Sequence, residues 1–178
     1  MSAVPTVACV AGSEGSSLSA EDVELSEAGP EDRSSLFELF AGIVERREGF
    51  PHSPPLSDAD FEASWGATVA AVVAARAGTE VVGAYYLRPN SVGRAAHIAN
   101  GGYMVAPPWR CRGVGRMLVE HSLVRARALS FDAMQFNLVF ESNPARRLYE
   151  DLGFQVVGRI PRAVEGEDAL VYWRSLDA

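Results

Sequence analysis

The stretch Val105-Ala-Pro-Pro-Trp-Arg110-Cys111-Arg112-Gly113-Val114-Gly115-Arg116 gathers the residue types that hold a phosphorylated ligand. A β-rich run ends at Val105, two prolines break it, and an amphipathic helical pattern opens at Gly113. A helix start offers N–H groups without an intrahelical partner and a partial positive charge, so it receives anions. Gly113 and Gly115 carry no side chain, which lets a phosphate come close to the backbone. Arg110, Arg112 and Arg116 add guanidinium forks that match phosphate oxygens two at a time. This arrangement suits a pyrophosphate. Two competing phosphate motifs fail on spacing. Leu118 stands where a dinucleotide fingerprint needs its third glycine, and the chain has no lysine with which to build a P-loop.

The charge distribution agrees with an anion site. All sixteen basic residues are arginine, and seven lie between Arg110 and Arg147 against only Glu120, Asp132 and Glu141. Such a cluster reads either as a solvated basic face or as a seat for a polyanionic small molecule. Residues 1–62 hold thirteen acids and three arginines, whereas residues 63–178 hold ten acids and thirteen arginines. The total of −7 argues against a nucleic-acid partner, which would need a basic surface to replace phosphate counterions.

A second constellation follows in Asn143-Pro-Ala-Arg146-Arg-Leu148-Tyr149-Glu-Asp-Leu152-Gly153-Phe154. Asn143 is a good helix N-cap, Pro144 suits the first helical position, and Gly153 suits the left-handed residue that ends a helix. Leu148 and Leu152, four apart, would pack on a sheet, and Tyr149, one position round, reads either as a tyrosine that packs beside them or as one that points into a cleft. Together, Arg110-x-x-Gly113-x-Gly115 after a strand and this second segment resemble the GNAT superfamily of N-acetyltransferases. The resemblance covers about Ser26 to Leu176. It implies acetyl-CoA as cosubstrate, with no metal, and a small-molecule amine as acceptor. Homodimers are common in the family. The first motif would bind the pyrophosphate, with Val105, Cys111 and Val114 beside it, and the second, with Asn143 and Arg146, would line the pantetheine end. One position departs from the family spacing. Counting back from Leu148-Tyr149 leaves Ser142 at the usual asparagine place, with Asn143 one residue late.

By the same resemblance, Tyr149 protonates the departing thiolate, a task a phenol can perform, and a backbone N–H near Val105 meets the developing oxyanion. Asn137 alternates with Phe136 and Leu138 and so shares a strand face with Gln135, while Asn100 lies mid-strand. A buried amide must find a partner, so each asparagine either bridges strands or contacts the substrate or the thioester oxygen. The run from Leu87 to Val105, including His97-Ile-Ala-Asn100, is similar to the fungal acetyltransferases acting on azetidine-2-carboxylate, a proline analogue. Asn100 and Asn137 fall where that group carries site asparagines. Glu141, near Asn143, reads either as a group that holds or deprotonates an amine or as a solvated carboxylate. His121 sits on the apolar side of its helix and reads as a satisfied core residue. The activity implied is an N-acetyltransferase; the alternative is a non-catalytic acyl-CoA sensor.

These residues need a scaffold. At 178 residues with 48% hydrophobic and 22% charged content, the chain fits one domain with one sizeable core. Residues 1–20, rich in Ser, Gly, Ala and Val without a period, read as a disordered leader, and residues 21–178 as the domain. A strand is expected near Asp22–Ser26, then a helix from Gly29-Pro30 to about Glu48 and a short one from Ser57 through Trp65. Val69–Arg76 and Glu80–Arg88 form a hairpin about Gly78-Thr79, and a third strand spans about Ala95–Val105. A helix to about Leu129, a strand at Ala133–Phe140, a helix at Pro144–Leu152 and strands at Phe154–Ile160 and Asp168–Leu176 complete the order. The order β-α-α-β-β-β-α-β-α-β-β predicts a mixed α/β sheet with helices on both faces. The longest apolar stretch, Val69–Ala75, is far short of the ~20 residues a bilayer demands. No secretory signal peptide is expected. Cys9 and Cys111 match no zinc or disulfide framework, so reduced thiols and a cytoplasmic location are expected.

Overall fold

The computed structural model describes residues 19–66 and 68–177. The expected leader lies outside the described residues as far as position 18. Ser19 and Ala20 belong to the fold: the Ser19 hydroxyl accepts from the Glu21 N–H, and the Asp22 carboxylate accepts from the Ser19 N–H. This reciprocal cap closes a 3-10 turn at Ala20–Asp22.

Strand β1 (Glu24–Glu27) is followed by helix α1 (Arg33–Glu45), entered through a 3-10 turn at Pro30–Asp32, and by helix α2 (Asp58–Trp65). Ser57 caps α2 by accepting from the Asp60 N–H. Strands β2 (Ala71–Ala77), β3 (Glu80–Pro89) and β4 (Ile98–Val105) come next, then helix α3 (Val114–Ala128) and strand β5 (Ala133–Phe140). Helix α4 (Arg146–Asp151) and strands β6 (Gln155–Val164) and β7 (Glu167–Ser175) finish the chain. The expected element order is the observed one.

The seven strands lie in the order β1-β2-β3-β4-β5-β7-β6. Every neighbouring pair is antiparallel except β4 and β5, which α3 joins by a crossover. Helices cover both faces. Leu36, Phe40, Ile43 and Val44 of α1, with Phe61 and Trp65 of α2, bury against Ala84, Tyr86 and Met104 on one face. Val114, Leu118, Val119 and Leu123 of α3, with Tyr149 of α4, bury against Tyr85, Leu87, Ala99 and Phe136 on the other. The alternation of β3 accounts for this, since Tyr86 and its neighbours Tyr85 and Leu87 point to opposite sides. Among the described residues no helix is long and apolar enough to cross a membrane.

The parallel pair β4–β5 is in register only at Ile98↔Ala133 and Ala99↔Met134. Beyond Ala99 the strands part, and the sheet opens in its middle.

Candidate active site

The open seam has backbone donors along one wall. The Ala106 N–H donates to the Val82 carbonyl, and the Asn90 N–H donates to the Ile98 carbonyl, so even-numbered residues of β4 turn toward β3. By alternation, the main-chain groups of Tyr103 and Val105 turn the other way, toward the seam. The Val105 carbonyl there accepts from Arg110 Nε at 3.2 Å.

Past the seam, a 3-10 turn at Pro107–Trp109 anchors the loop, with Trp109 only 3% exposed. The loop reaches α3 through two left-handed residues, Cys111 at φ +58° and Gly113 at φ +88°. Gly113 is the N-cap of α3 and supplies no side chain to cap it. The first intrahelical bond runs from the Met117 N–H to the Gly113 carbonyl at 3.0 Å. The leading N–H groups of α3 therefore have no partner within the helix. Gly115, in its first turn, leaves open space: a Cβ there would meet nothing nearer than Leu148 at 3.9 Å. The helix thus starts at Gly113, where the sequence predicts, with no side chain capping its leading N–H groups.

The three arginines around it are placed differently from one another. Arg110 is bound on both sides, to the Val105 carbonyl and to Glu48 at 2.6 Å. Arg112 Nε donates to the Pro108 carbonyl at 2.7 Å, and the Arg112 carbonyl accepts from the Ala20 N–H at 3.1 Å. Arg116 is half exposed and bridges Asp151 at 3.2 Å and Glu120 at 3.6 Å. Arg110 and Arg112 thus brace the loop, and Arg116 tethers α3 to α4. Cys111 is disulfide-bonded, which replaces the reduced thiol expected for it; Cys9 lies outside the described residues.

Helix α4 starts later than expected. Asn143 does not cap it: its Oδ1 accepts from the Ala145 N–H at 2.9 Å in a local turn, and the helix begins at Arg146 with Ala145 as N-cap. Ser142 donates its N–H to Glu167 at 2.5 Å. Arg146 is held inside, donating to the Glu141 carbonyl at 3.0 Å and to the Tyr172 hydroxyl at 3.3 Å. The C-terminal expectation is met, with Gly153 at φ +82° and the Phe154 N–H on the Tyr149 carbonyl.

Tyr149 lies where the strands diverge. Its ring is 4.8 Å from that of Phe136 on β5 and 6.4 Å from that of Tyr103 on β4. The residue is 7% exposed. Its hydroxyl makes no hydrogen bond among the described residues, yet it is not among the sealed, unpartnered polar atoms. The ring is therefore held by its aromatic neighbours, while the hydroxyl keeps a trace of exposure. Burial pushes this phenol well above its ordinary pKa, with the nearby Tyr172 adding to the effect, so it stays protonated.

On the α2 side of the seam, amides gather in an open cleft of about 550 Å³. Asn100 Nδ2 donates to the Gln135 carbonyl at 2.9 Å, spanning β4 and β5 one residue beyond their last pair. Gln135 Nε2 donates to Asn137 Oδ1 at 2.8 Å, and Asn137 Nδ2 donates to Asn90 Oδ1 at 2.6 Å. Asn100 and Asn137 thus bridge strands and loop while lining the cleft. Glu141 is not brought to them. It pairs with Arg159 at 3.0 Å near the β6 edge. The half-buried His121 shares a hydrogen bond from Nδ1 with the Tyr85 hydroxyl at 2.7 Å, and burial lowers its pKa, which favours the neutral ring. Among the described residues no cluster of three His, Cys, Asp or Glu could hold a metal.

Sequence reasoning missed Glu48, Arg88 and Asn90. The partner of Arg110 lies 62 positions upstream, and no local pattern announces such a pair. Arg88 and Asn90 flank Pro89 in what reads as an ordinary turn, although the register Arg88↔Asn100 sets the arginine beside an already suspected asparagine.

Residues 35–154 match the model of the acetyltransferase (GNAT) family. The N-acetyltransferase aca1 of Schizosaccharomyces pombe is 43% identical over 86 residues, which is 48% of this chain and 41% of that protein. The chain therefore spans about two fifths of the length of that relative. A GCN5-related N-acetyltransferase from Kribbella flavida is 31% identical, with a TM-score of 0.81 over 88% of this chain and 99% of the other. The structure of yncA from Salmonella typhimurium with its cofactor acetyl-CoA shares the fold at TM-score 0.76 and 19% identity, over 88% of this chain and 95% of that one.

Proposed function

The chain belongs to the GNAT family of acetyltransferases, enzymes that use acetyl-CoA, and from that premise we propose that it acetylates the amine of a small molecule, an amino acid or proline analogue. The observation that carries this reading is the parting of β4 from β5 after Ala99. One seam would then bring together the Val105 N–H, the Tyr149 hydroxyl and, at its end, the start of α3, which no side chain caps.

The donor set fits acetyl-CoA. The N–H groups of Gly113, Val114, Gly115 and Arg116 would take the pyrophosphate, and Gly115 leaves the room that two phosphates need. Arg110 and Arg112 would hold the loop in shape, while Arg116 can swing from Asp151 to an anion. Val105, Cys111, Asn143 and Arg146 would form the walls on either side. Acetyl-CoA supplies an activated acetyl thioester. The Val105 N–H would donate to its carbonyl oxygen as charge develops there, a preorganised contact of the oxyanion-hole kind. Tyr149 would give its proton to the sulfur as the C–S bond breaks and the neutral amine forms the C–N bond, and the extra proton on nitrogen would leave to solvent, from which the phenolate is reprotonated. Asn100 and Asn137 would orient the amine from the opposite face, and alignment of the reactants would supply much of the rate.

The acceptor class rests on the likeness of the 87–105 segment to the azetidine-2-carboxylate acetyltransferases and on the amide-lined cleft. The test is turnover by the full chain with acetyl-CoA and a panel of amino acids, proline analogues, polyamines, aminoglycosides and peptides. Acetylated product is detected by mass, and acetyl-CoA binding by calorimetry. Product from an amino acid or proline analogue is the expected result. Binding of acetyl-CoA with no product from any amine would replace the enzyme by an acyl-CoA sensor.

A further inference from the structure

We propose that Arg88 binds the carboxylate of the acceptor amine and thereby sets the specificity of the cleft; this deepens the acetyl-transfer reading and rests on it for the reaction, though not for the binding.

The cleft beside Asn100 and Asn137 is lined by Thr68, Arg88, Asn90, Ser91, Asn100 and Asn137 among others, and no acid is among them. Its one formal charge is positive. Half of the sixteen arginines are already paired: Arg33, Arg46, Arg47, Arg76, Arg110, Arg116, Arg125 and Arg159 each meet a carboxylate. Arg88 forms no ion pair among the described residues. It is placed and not mobile, because its Nη1 donates to the Ala63 carbonyl of α2 at 3.3 Å and its guanidinium lies 5.1 Å over the Tyr86 ring. One fork of a planar donor is thus held against the protein, and its other N–H groups remain for a ligand.

The amides around it divide by polarity. Asn90 uses its Oδ1 to accept from Asn137, which leaves the Asn90 NH2 as a donor near Arg88. Asn100 uses its NH2 toward Gln135, which leaves its Oδ1 as an acceptor at the opening of the seam. Donors therefore cluster at the Arg88 end and an acceptor faces the reacting end. A molecule with a carboxylate at one end and an amine at the other matches this order. One guanidinium offsets one negative charge with two parallel hydrogen bonds. A polyamine or aminoglycoside meets only a like charge here, with no carboxylate to receive it.

The experiment compares amino acids with their methyl esters, and with spermidine, as acceptors for the full chain and for Arg88→Gln and Arg88→Lys. Wild type is expected to favour the free acids over their esters by tenfold or more in kcat/KM. Arg88→Gln should erase that preference through KM, with acetyl-CoA affinity unchanged, and Arg88→Lys should retain part of it. Esters or spermidine used as well as the acids by wild type would overturn the assignment, as would an unchanged preference in Arg88→Gln. Should no amine be acetylated at all, the transfer reading fails, and calorimetry of the same amino acids with the coenzyme A complex decides this one. Binding by wild type that is lost in Arg88→Gln sustains it. Absent binding, or equal binding of acid and ester, overturns it.

Discussion

Arg110 Nη2 and Glu48 Oε2 stand 2.6 Å apart, an ion pair that fastens the loop ahead of α3 to the end of α1. Each side chain is 26% exposed, so solvent screens the pair only in part. Burial pushes the Glu48 carboxyl up, but hydrogen bonds from Arg110 and Arg46 outweigh that and hold it below its ordinary value. The guanidinium is thus already committed to the Val105 carbonyl and to Glu48, which favours a part in shaping the loop. Glu48→Gln and Arg110→Gln should each weaken acetyl-CoA binding about 3–10-fold, and the double variant should be hardly worse than either, a coupling of about 1 kcal/mol. Calorimetry on the four proteins reads this cycle. Tighter binding in Glu48→Gln would mean that the freed arginine prefers the phosphate, against the bracing role.

The two loop glycines should respond in opposite ways to alanine. Gly113 holds φ +88°, and a Cβ there would come within 3.2 Å of the Ala20 Cβ, so Gly113→Ala should cost about 1 kcal/mol or more of stability. Gly115 is an ordinary helical residue with open space around it, so Gly115→Ala should stabilise the helix by up to ~1 kcal/mol. The same methyl would fill room that a pyrophosphate needs. A rise in Tm together with at least a tenfold loss of acetyl-CoA affinity is expected for Gly115→Ala. Unchanged affinity would place the phosphates elsewhere.

The elements were legible in the sequence because their periods differ, with Leu36, Phe40, Ile43 and Val44 at helical spacing and Ala133–Phe140 alternating. Their ends were less so. Helix α1 stops at Glu45 because Arg47 already turns left-handed at φ +55°, two residues before Gly49 does so at φ +64°, with the Glu48 N–H on the Ile43 carbonyl. That turn brings Glu48 to Arg110. Strand β6 passes through Pro161 to Val164, since an edge strand with a register shift tolerates the missing N–H. The glycines and arginines of the α3 loop could be read from their spacing, but which arginines are already paired could not. Pairing joins residues far apart in the chain, and only the folded sheet puts Arg88 beside Asn100.

Tyr149→Phe tests the proton donor. The ring packs among Phe136, Phe154 and Tyr172, so loss of the hydroxyl should leave the fold intact. Turnover should fall by about 10²–10⁴, the usual worth of a positioned acid, with acetyl-CoA affinity within about twofold of wild type. Because burial raises the pKa of this phenol, deprotonation of Tyr149 should impose no loss of kcat up to about pH 10, the ordinary tyrosine value. Comparable turnover in the variant would remove Tyr149 from the chemistry.

Acid stability should depend on Asp32. Its carboxylate accepts from the Gly29 N–H at 2.8 Å and from Arg76 Nη2 at 2.5 Å, joining the entry of α1 to β2. Burial of Asp32 would raise its pKa, yet the bonds from Arg76 and Gly29 prevail and lower it below the ordinary 3.8. A carboxyl whose folded pKa is depressed binds protons more readily when unfolded. Its stabilisation is complete above the unfolded value and drains away as the pH falls through the folded one. Thermal stability of wild type should therefore decline below about pH 4. Asp32→Asn leaves Arg76 without its counter-charge and should cost about 2–4 kcal/mol at neutral pH, with the gap to wild type narrowing in acid. A gap that stays constant from pH 7 to pH 3 would show that the ion pair is not what holds α1 to the sheet.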